Sequence, residues 1–544
     1  MTGTLLAAIA AISRLALFNR LPAEPDSALF LIGMRQWLVY GPQAAQAEYT
    51  PHYYVFLSPG YYWLTGHLAN WLHAGTAQLP GLMNGISAAA AIAAAPLLFV
   101  LARRWLTDGP AAWSSAIFLL TPGIWWLGLE AHAEGLAITL ALLALYFYLR
   151  GLRIPPWQTA GLEQEPQSPP IQFIWMAAAG LTLTASLLVR SDGVLLFPAW
   201  VLIPWSLPGG EKKSGSGLFA KFPRLQPALW GGGICAAASL AFLRLRSKIL
   251  DISWASAQKA SERTVAHFWG HIHVLVQILP MLTSPGPELA GFAITGIYFA
   301  WRYRRNIHLR RWGWLIAGWS LPGYCFWFLI RGNVTRHVVL EFLPILWCGM
   351  AGWAAWAGGS RPRQWGMIAA LVGAWGVGWW IIPANSNMTL YPSGNVPASL
   401  ARLHTREKQL QQLAQRLAAQ APVLAQRDDD PRPPYGLCYA GSYTGAYLIE
   451  DWLLASSSGR MRIQGNALAQ VVTMPAGAAG TKPPIWHTIA LTEAYNNADY
   501  ARAIASCRRV VSAEFKNGRR HWFFGRRIQH IFWLRELRKR FRRH

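Results

Sequence analysis

Residues 120–150 read LTPGIWWLGLEAHAEGLAITLALLALYFYLR, a long apolar run with acidic residues at one end and an arginine at the other. The apolar part, residues 131–149, has about the 20-residue length that a helix needs to cross a lipid bilayer. Glu130, His132 and Glu134 stand at its beginning, and Arg150 follows its end. This distribution predicts a transmembrane helix whose basic end lies in the cytoplasm.

The composition extends this prediction to the whole chain of 544 residues. Hydrophobic residues make up 53% and charged residues 13%, whereas a soluble globular protein has roughly 25% charged residues. Lys and Arg outnumber Asp and Glu by 49 to 24, but most of them stand in short clusters between apolar runs, as orientation in a bilayer requires. The composition indicates a membrane protein and excludes a disordered chain, a disulfide scaffold and a cytosolic enzyme.

Eleven apolar segments are predicted to span the membrane. The first has neither a basic segment before it nor a small-residue cleavage site after it, which favours a retained helix over a signal peptide. Together they predict a mainly α-helical polytopic membrane domain over residues 1–383. The segments are residues 3–18, 81–102, 111–127, 131–149, 172–189, 192–207, 226–243, 287–301, 312–330, 336–356 and 365–383.

Five clusters of Lys and Arg stand in alternate loops and set the predicted orientation. Placing all five in the cytoplasm gives a cytoplasmic N-terminus and an extracytoplasmic C-terminus. This holds if residues 53–72 do not cross; the polar and helix-breaking residues in this stretch favour a re-entrant or interfacial segment, although a crossing stays open. The clusters lie within residues 103–104, 150–153, 212–224, 302–311 and 361–363.

Residues 384–544 are more polar and predict a small extracytoplasmic α/β domain. Residues 435–439 and 485–491 have the pattern of strands. Cys438 and Cys507 are permitted to form a disulfide in an oxidising compartment, but their spacing does not establish one. The tail, residues 526–544, is basic and amphipathic, and suits either an anionic lipid surface or solvent.

Acidic residues concentrate on the predicted extracytoplasmic side. Ten of the fourteen Asp and Glu residues before residue 384 lie there, and ionisable groups near membrane spans are costly and therefore usually functional. Asp26 follows Pro25 at the start of a predicted helix that ends at Tyr40. It could act as a base just above the membrane, or it could be an ordinary helix N-cap.

Two further groups stand at predicted external turns. Glu130, His132 and Glu134 lie within one and a half helical turns and could bind a divalent metal, a phosphate-bound metal or a polar acceptor, or simply occupy a helix end. At the next external turn, Arg190 could hold a phosphate that Asp192 orients, or the two could form an internal ion pair.

A fourth group lies in residues 331–341. Arg331 and Arg336 could bind a lipid phosphate, while His337 and Glu341, spaced i,i+4, are predicted to share one face of the span 336–356. The alternative is a buried ion pair that braces helices. The hallmark motifs of ATP-driven transport, serine hydrolysis and zinc proteolysis do not occur in the sequence.

The sequence resembles the GT-C membrane glycosyltransferases, and most of all glycosyltransferase family 39, which includes protein O-mannosyltransferases and the aminoarabinose transferase of lipid A. The likeness covers about residues 1–210 and continues weakly to residue 383. Residues 336–344 are similar to the family's later Arg-aromatic-Pro segment. The other stretches that carry the likeness are PDSALF at residues 25–30, SPGYYWL at 58–64, LTPGIWW at 120–126 and ALLALYFYLR at 141–150.

The resemblance implies a polyprenyl-phosphate sugar as donor and transfer to an acceptor on the extracytoplasmic face. The family's first-loop acid maps onto Asp26, and its second-loop acid maps onto Glu134 and less closely onto Glu130. This sequence has Glu, with His132 nearby, where the family commonly has Asp. The role of the second acidic site, and any divalent metal there, therefore stays open.

These expectations together predict an inverting glycosyltransferase of a bacterial inner membrane. Asp26, as general base, and Glu134 are the predicted catalytic residues. The donor phosphate is expected at Arg190, Arg331 and Arg336. The acceptor or second acidic site is expected to comprise Glu130, His132, Asp192 and Glu341.

The expected partners are a polyprenyl-phosphate sugar, an envelope glycan, lipid or protein acceptor, and membrane lipids, without nucleic acid. The sequence does not identify the sugar or the acceptor. The alternative function is a transporter, flippase or polymerase of a lipid-linked glycan. A transporter is expected to place charge in the middle of its spans, whereas a transferase places it at the external rim.

Overall fold

The computed structural model describes most of the first 401 residues and four strands further along the chain. The described ranges are 2–15, 25–42, 55, 57–75, 78–153, 172–207, 224–251, 286–304, 309–330, 335–382, 395–398, 400–401, 435–440, 462–466, 469–473 and 485–491. The helices are α1 (Thr2–Leu15), α2 (Pro25–Tyr40), α3 (Pro59–Trp71), α4 (Leu79–Ala102), α5 (Asp108–Leu120), α6 (Pro122–Leu127), α7 (Ala133–Gly151), α8 (Phe173–Val189), α9 (Phe197–Ser206), α10 (Leu225–Ile249), α11 (Pro287–Arg302), α12 (Leu309–Leu315), α13 (Leu321–Tyr324), α14 (Leu343–Ala357) and α15 (Arg361–Trp380).

The helices confirm the mainly α-helical prediction, because each of the eleven predicted spans contains one. Among the described residues, α4, α7 and α10 are long and apolar enough to cross a membrane. Within the predicted non-crossing stretch, α3 forms a helix of 13 residues. That this stretch does not cross stays a prediction.

Two predicted spans begin later than the sequence pattern suggested. The span predicted at 336–356 becomes α-helical only at Leu343, after a 3₁₀ helix over Thr335–Val338. Pro344 lies in the first turn of α14, where its missing N–H leaves no hydrogen bond unmade. Likewise, the span predicted at 192–207 opens with a 3₁₀ helix, Ser191–Leu196, before α9.

The chain divides into two compact units. The first comprises Met1–Arg20, Leu57–Leu72 and Pro80–Ala401, and the second comprises Leu21–Phe56, His73–Leu79 and Arg402–His544. Helix α2 belongs to the second unit. The predicted domain boundary after residue 383 stays a prediction.

A four-stranded sheet belongs to the second unit. Its strands are β1 (Tyr435–Ala440), β2 (Arg462–Asn466), β3 (Ala469–Thr473) and β4 (Ile485–Leu491), in the order β2-β3-β1-β4. Strand β1 pairs antiparallel with β3 and parallel with β4, so that Cys438 stands opposite Val471 and Ile489. β1 and β4 coincide with the two predicted strands, whereas Cys507, the tail 526–544 and any helices of this domain lie outside the described residues.

Within the first unit, hydroxyl groups join the helices that carry the candidate site. The Thr139 hydroxyl on α7 donates to the carbonyl of Ala90 on α4 at 2.8 Å. The Ser186 hydroxyl on α8 donates to the carbonyl of Ala137 on α7 at 3.0 Å. Such bonds are well suited to an apolar environment, where packing and interhelical hydrogen bonds hold helices together. They fix the first turns of α7 against α4 on one side and against the last turn of α8 on the other.

Candidate active site

Three segments meet at one end of the α7–α8 hairpin: the start of α7, the end of α8 with the 3₁₀ helix that follows it, and the 3₁₀ helix before α14. Glu134 lies in the first turn of α7, and the residue before this helix, His132, has an extended backbone. Arg190 is the C-cap residue directly after α8, and Asp192 lies in the 3₁₀ helix that follows. His337 lies in the second 3₁₀ helix, before α14. All of these residues belong to the first unit.

Arg190 joins the three segments through its guanidinium group. Its Nη1 donates to Glu134 Oε1 at 2.5 Å. Its Nε and Nη2 donate to the two oxygens of Asp192, at 3.0 and 2.5 Å, in a bidentate pair. Two carboxylates therefore face one guanidinium, which gives this trio a formal charge of −1 in a largely buried place, since only 15% of the Arg190 side chain and 4% of Glu134 are exposed.

His132 contacts the other oxygen of Glu134. Its Nδ1 lies 3.5 Å from Glu134 Oε2, and its side chain is fully buried. The Ser87 hydroxyl donates to the His132 carbonyl at 3.1 Å, and the His132 N–H lies 3.4 Å from the same hydroxyl oxygen. The buried hydroxyl of Tyr61 lies beside Ser87. Helices α3 and α4 thus hold the bend from which Glu134 extends.

His337 approaches the trio from the opposite segment. Its Nδ1 lies 3.1 Å from Arg190 Nη2 and 3.8 Å from Glu134 Oε1. Its ring stacks on the indole of Trp327, with centroids 4.1 Å apart and planes inclined by 25°. The sequence pattern included His337 in the fourth candidate group without giving it a role, and it did not single out Trp327. The position of His337 beside Arg336 at a span end was a usable signal, whereas Trp327 is one of 30 tryptophans.

Three details of the predicted site were wrong. Glu130 and His132 do not share the helix of Glu134, because α7 begins only at Ala133; both are nevertheless buried in the bend before it. His337 and Glu341 do not share a helix face, since α14 begins at Leu343. For the same reason Glu341, expected inside a span, precedes α14; it is buried against Gly323, where a Cβ atom would overlap its side chain.

Three predicted site residues are not described at the side-chain level. Asp26 is the second residue of α2, which starts and ends as predicted, so it lies inside the helix and is not the residue that precedes it. Arg336 lies in the 3₁₀ helix over Thr335–Val338, and Arg331 falls outside the described residues. Within the described part of the chain, no group of three or more His, Cys, Asp or Glu residues could hold a metal ion.

The described helices have the fold of the GT-C membrane glycosyltransferases, as the resemblance predicted. The crystal structure of ArnT from Cupriavidus metallidurans bound to undecaprenyl phosphate matches with a TM-score of 0.52 and 14% identity, over 89% of this chain and 99% of that one. The structure of ArnT from the same organism in the apo state matches with a TM-score of 0.49 and 13% identity, over 86% of this chain and 97% of that one. The oligosaccharyltransferase from Archaeoglobus fulgidus in the apo form matches with a TM-score of 0.48 and 12% identity, over 82% of this chain and 63% of that one.

The fold assignment rests on the first of these structures. Neither a protein-family model nor the sequence of a curated protein matches this chain.

Proposed function

We propose that the protein is an inverting glycosyltransferase that moves a sugar from a polyprenyl-phosphate donor to an envelope lipid, glycan or protein. We expect this transfer to occur on the extracytoplasmic face of a bacterial inner membrane. The observation that carries the proposal is the buried Glu134–Arg190–Asp192 trio at one end of a GT-C helical fold. Buried, mutually oriented charged groups at the end of a membrane bundle are costly and are characteristic of functional sites.

The proposed chemistry is a single displacement at the anomeric carbon. Asp26 takes the proton of an acceptor hydroxyl while that oxygen attacks the carbon, and the bond to the phosphate oxygen breaks with inversion. Polyprenyl phosphate leaves with the electron pair. Since a positioned general base contributes about 10²–10⁴-fold to the rate, loss of Asp26 should be severe.

Glu134 is proposed as the second catalytic carboxylate, which orients the acceptor or the sugar by accepting a hydroxyl hydrogen bond. Arg190 holds Glu134 in place through their 2.5 Å contact. The proposed acceptor or second acidic site also comprises Asp192, His132, Glu130 and Glu341. A buried carboxylate fixed on two sides loses little freedom when it binds, which is the condition for effective orientation.

Of the three predicted phosphate ligands, we prefer Arg331 and Arg336 to Arg190. Arg190 already faces two carboxylates, so an added phosphate would meet a trio with net negative charge. Arg190 is instead proposed to position Glu134.

The proposal is tested with the purified full chain in lipid nanodiscs, a panel of polyprenyl-phosphate sugars and an envelope extract as acceptor. Free polyprenyl phosphate and glycosylated product are measured for the wild type and for the Asp26→Asn, Glu134→Gln and Asp108→Asn variants. Asp108 is a matched control, since it pairs with Arg103 at a partly exposed site at the other end of the bundle. Release should vanish in the first two variants and persist in the third.

Other outcomes would redirect the assignment. Equal release by the wild type and Asp26→Asn would reject Asp26 as the base and leave Glu134 as the candidate. No release from any donor would reject the transferase, and translocation of a lipid-linked glycan would then be measured with the same nanodiscs.

A further inference from the structure

The stacked rings of Trp327 and His337 form a further contact with the Arg190 guanidinium, in addition to its two carboxylate partners. Trp327 is fully buried and lies in a π-helix, Cys325–Ile330, while His337 lies in a 3₁₀ helix. π-helical turns within α-helical segments are rare and occur frequently at functional sites. Here two irregular segments place an indole and an imidazole face to face, with the imidazole Nδ1 3.1 Å from Arg190 Nη2.

Of the described contacts on the guanidinium, His337 supplies one that is independent of the α7–α8 hairpin. Asp192 is only two residues from Arg190 and moves with it, whereas Glu134 is the group to be positioned. His337 is 147 residues away in sequence and belongs to the segment before α14. It can therefore fix the guanidinium relative to the rest of the helical unit.

We propose that His337 is a positioning residue: its neutral ring accepts a hydrogen bond from Arg190 at Nδ1, Trp327 holds the ring plane, and Arg190 is thereby held against Glu134. This rests on the proposed function for its effect on catalysis. The contact itself requires the tautomer in which Nε2 carries the proton and Nδ1 the lone pair.

A protonated His337 would repel Arg190 and attract Glu134, whereas the neutral ring accepts a hydrogen bond from Arg190. Two cations would then face each other at 3.1 Å, and the new Nδ1–H would point to Glu134 Oε1, 3.8 Å away. Among the described contacts, the charged groups that face His337 are Arg190, which ends the α7–α8 hairpin, and Glu134 at the start of α7. The contact with Arg190 therefore requires a neutral His337 ring.

The first test compares two substitutions of His337 in the nanodisc transfer assay. His337→Leu removes the acceptor and should lower kcat about 10- to 100-fold, the effect expected for one lost bond to a charged group, with the donor KM changed less than twofold. His337→Asn keeps an oxygen near the Nδ1 position and cannot be protonated. It should restore most of kcat.

The matched control is His67→Asn. His67 also contacts a tryptophan, Trp63, with ring centroids 4.6 Å apart, but it lies exposed on α3 away from the trio. Its kcat should equal that of the wild type. Trp327→Phe, which keeps an aromatic face, should have a kcat between those of the wild type and His337→Leu. An unchanged kcat in His337→Leu would overturn the proposal.

A second measurement does not depend on transfer. With ¹⁵N-labelled histidine in nanodiscs, the His337 signals are assigned by their loss in His337→Asn. We expect an unprotonated, hydrogen-bonded Nδ1 whose shift moves in Arg190→Gln. The positioning role would be overturned by a protonated Nδ1 at neutral pH, or by a ¹⁵N chemical shift that does not change in the Arg190→Gln variant. Absence of transfer by the wild type would reject the proposed function alone, since the NMR result still decides the contact.

Discussion

At Arg190, burial determines how much an ion pair contributes to the free energy of unfolding. The Arg190–Glu134 and Arg103–Asp108 pairs both have N–O distances of 2.5 Å, but their side chains are 15% and 4% exposed in the first pair and 31% and 52% in the second. Water screens the second pair, and such pairs usually contribute little. In the first, removal of one partner leaves a desolvated charge with fewer partners.

The first prediction follows from this contrast. A double-mutant cycle of Glu134→Gln and Arg190→Gln should give a coupling of about 1.5–3 kcal/mol, the range for hydrogen bonds to charged groups. The same cycle on Arg103 and Asp108 should give less than about 1 kcal/mol. Both are measured as free energies of unfolding in detergent. Equal couplings would show that the Arg190 trio is open to solvent and contributes no more than a surface pair.

The residues of this site were predictable singly, and the Arg190–Asp192 ion pair was one of two predicted alternatives, but the assembly across separate segments was not predictable. Glu134, Arg190 and Asp192 stand out because each is a charged residue at the end of an apolar run. Their contacts join residues 56 and 147 positions apart, and such pairings depend on how helices pack, which periodicity does not encode. The role of His337 was obscured by the assumption of a regular helix from residue 336; Pro344 was the signal that α14 starts later.

At the scale of elements, α11 and α14 pack with their backbones in contact. A Cβ atom at Gly352 would overlap the carbonyl of Gly296, and one at Gly296 would overlap Gly349. Small residues allow this approach, which strengthens packing between helices in lipid.

The second prediction tests this packing. Gly352→Ala should lower the free energy of unfolding by about 1–3 kcal/mol, the usual cost of overpacking. The control is Gly291→Ala on α11, where a Cβ atom meets nothing within 4 Å; there alanine should be neutral or should stabilise the helix by up to about 1 kcal/mol. Thermal unfolding in detergent compares the two, and equal effects would contradict direct backbone contact.

The third prediction concerns the break between α5 and α6. Helix α5 ends at Leu120, and the Leu120 carbonyl accepts hydrogen bonds from the indole N–H groups of Trp375 and Trp379 on α15, each at 2.9 Å. Since either indole satisfies the carbonyl, Trp375→Phe or Trp379→Phe alone should cost less than about 1 kcal/mol.

The double variant leaves that carbonyl without either indole. It should cost about 1–3 kcal/mol, which is more than the sum of the single effects. Trp365→Phe, on the exposed face of the same helix, controls for the loss of an indole elsewhere on α15. Strict additivity of the two single variants would mean that the two bonds do not share one acceptor. Unfolding free energies of the four variants decide this.

At the scale of the whole molecule, the two ends of the helical unit carry different groups: the Glu134–Arg190–Asp192 trio lies at one end, and arginines that contact aromatic rings lie at the other. At the end away from the Arg190 trio, arginines lie over aromatic rings: Arg150 over Trp175 at 4.5 Å, and Arg363 over Trp356 at 6.0 Å. Arginine and tryptophan are typical of a membrane–water interface, and an excess of Lys and Arg marks the cytoplasmic side. The carboxylate-rich end is therefore expected to face away from the cytoplasm.

The fourth prediction is the orientation itself, on which the assignment of the donor side depends. Alkaline phosphatase fused after residue 401 should be active, because it is expected to reach the extracytoplasmic side, and phosphatase inserted in loop 208–223 should be inactive. Green fluorescent protein at the same two positions should show the reverse. If both reporters indicate the opposite sides, the arginine-rich end faces outward and the carboxylate site would have to take its donor from the cytoplasm. If both positions report the same side, one of the intervening predicted spans does not cross, and residues 53–72 cannot account for this because they precede both fusions.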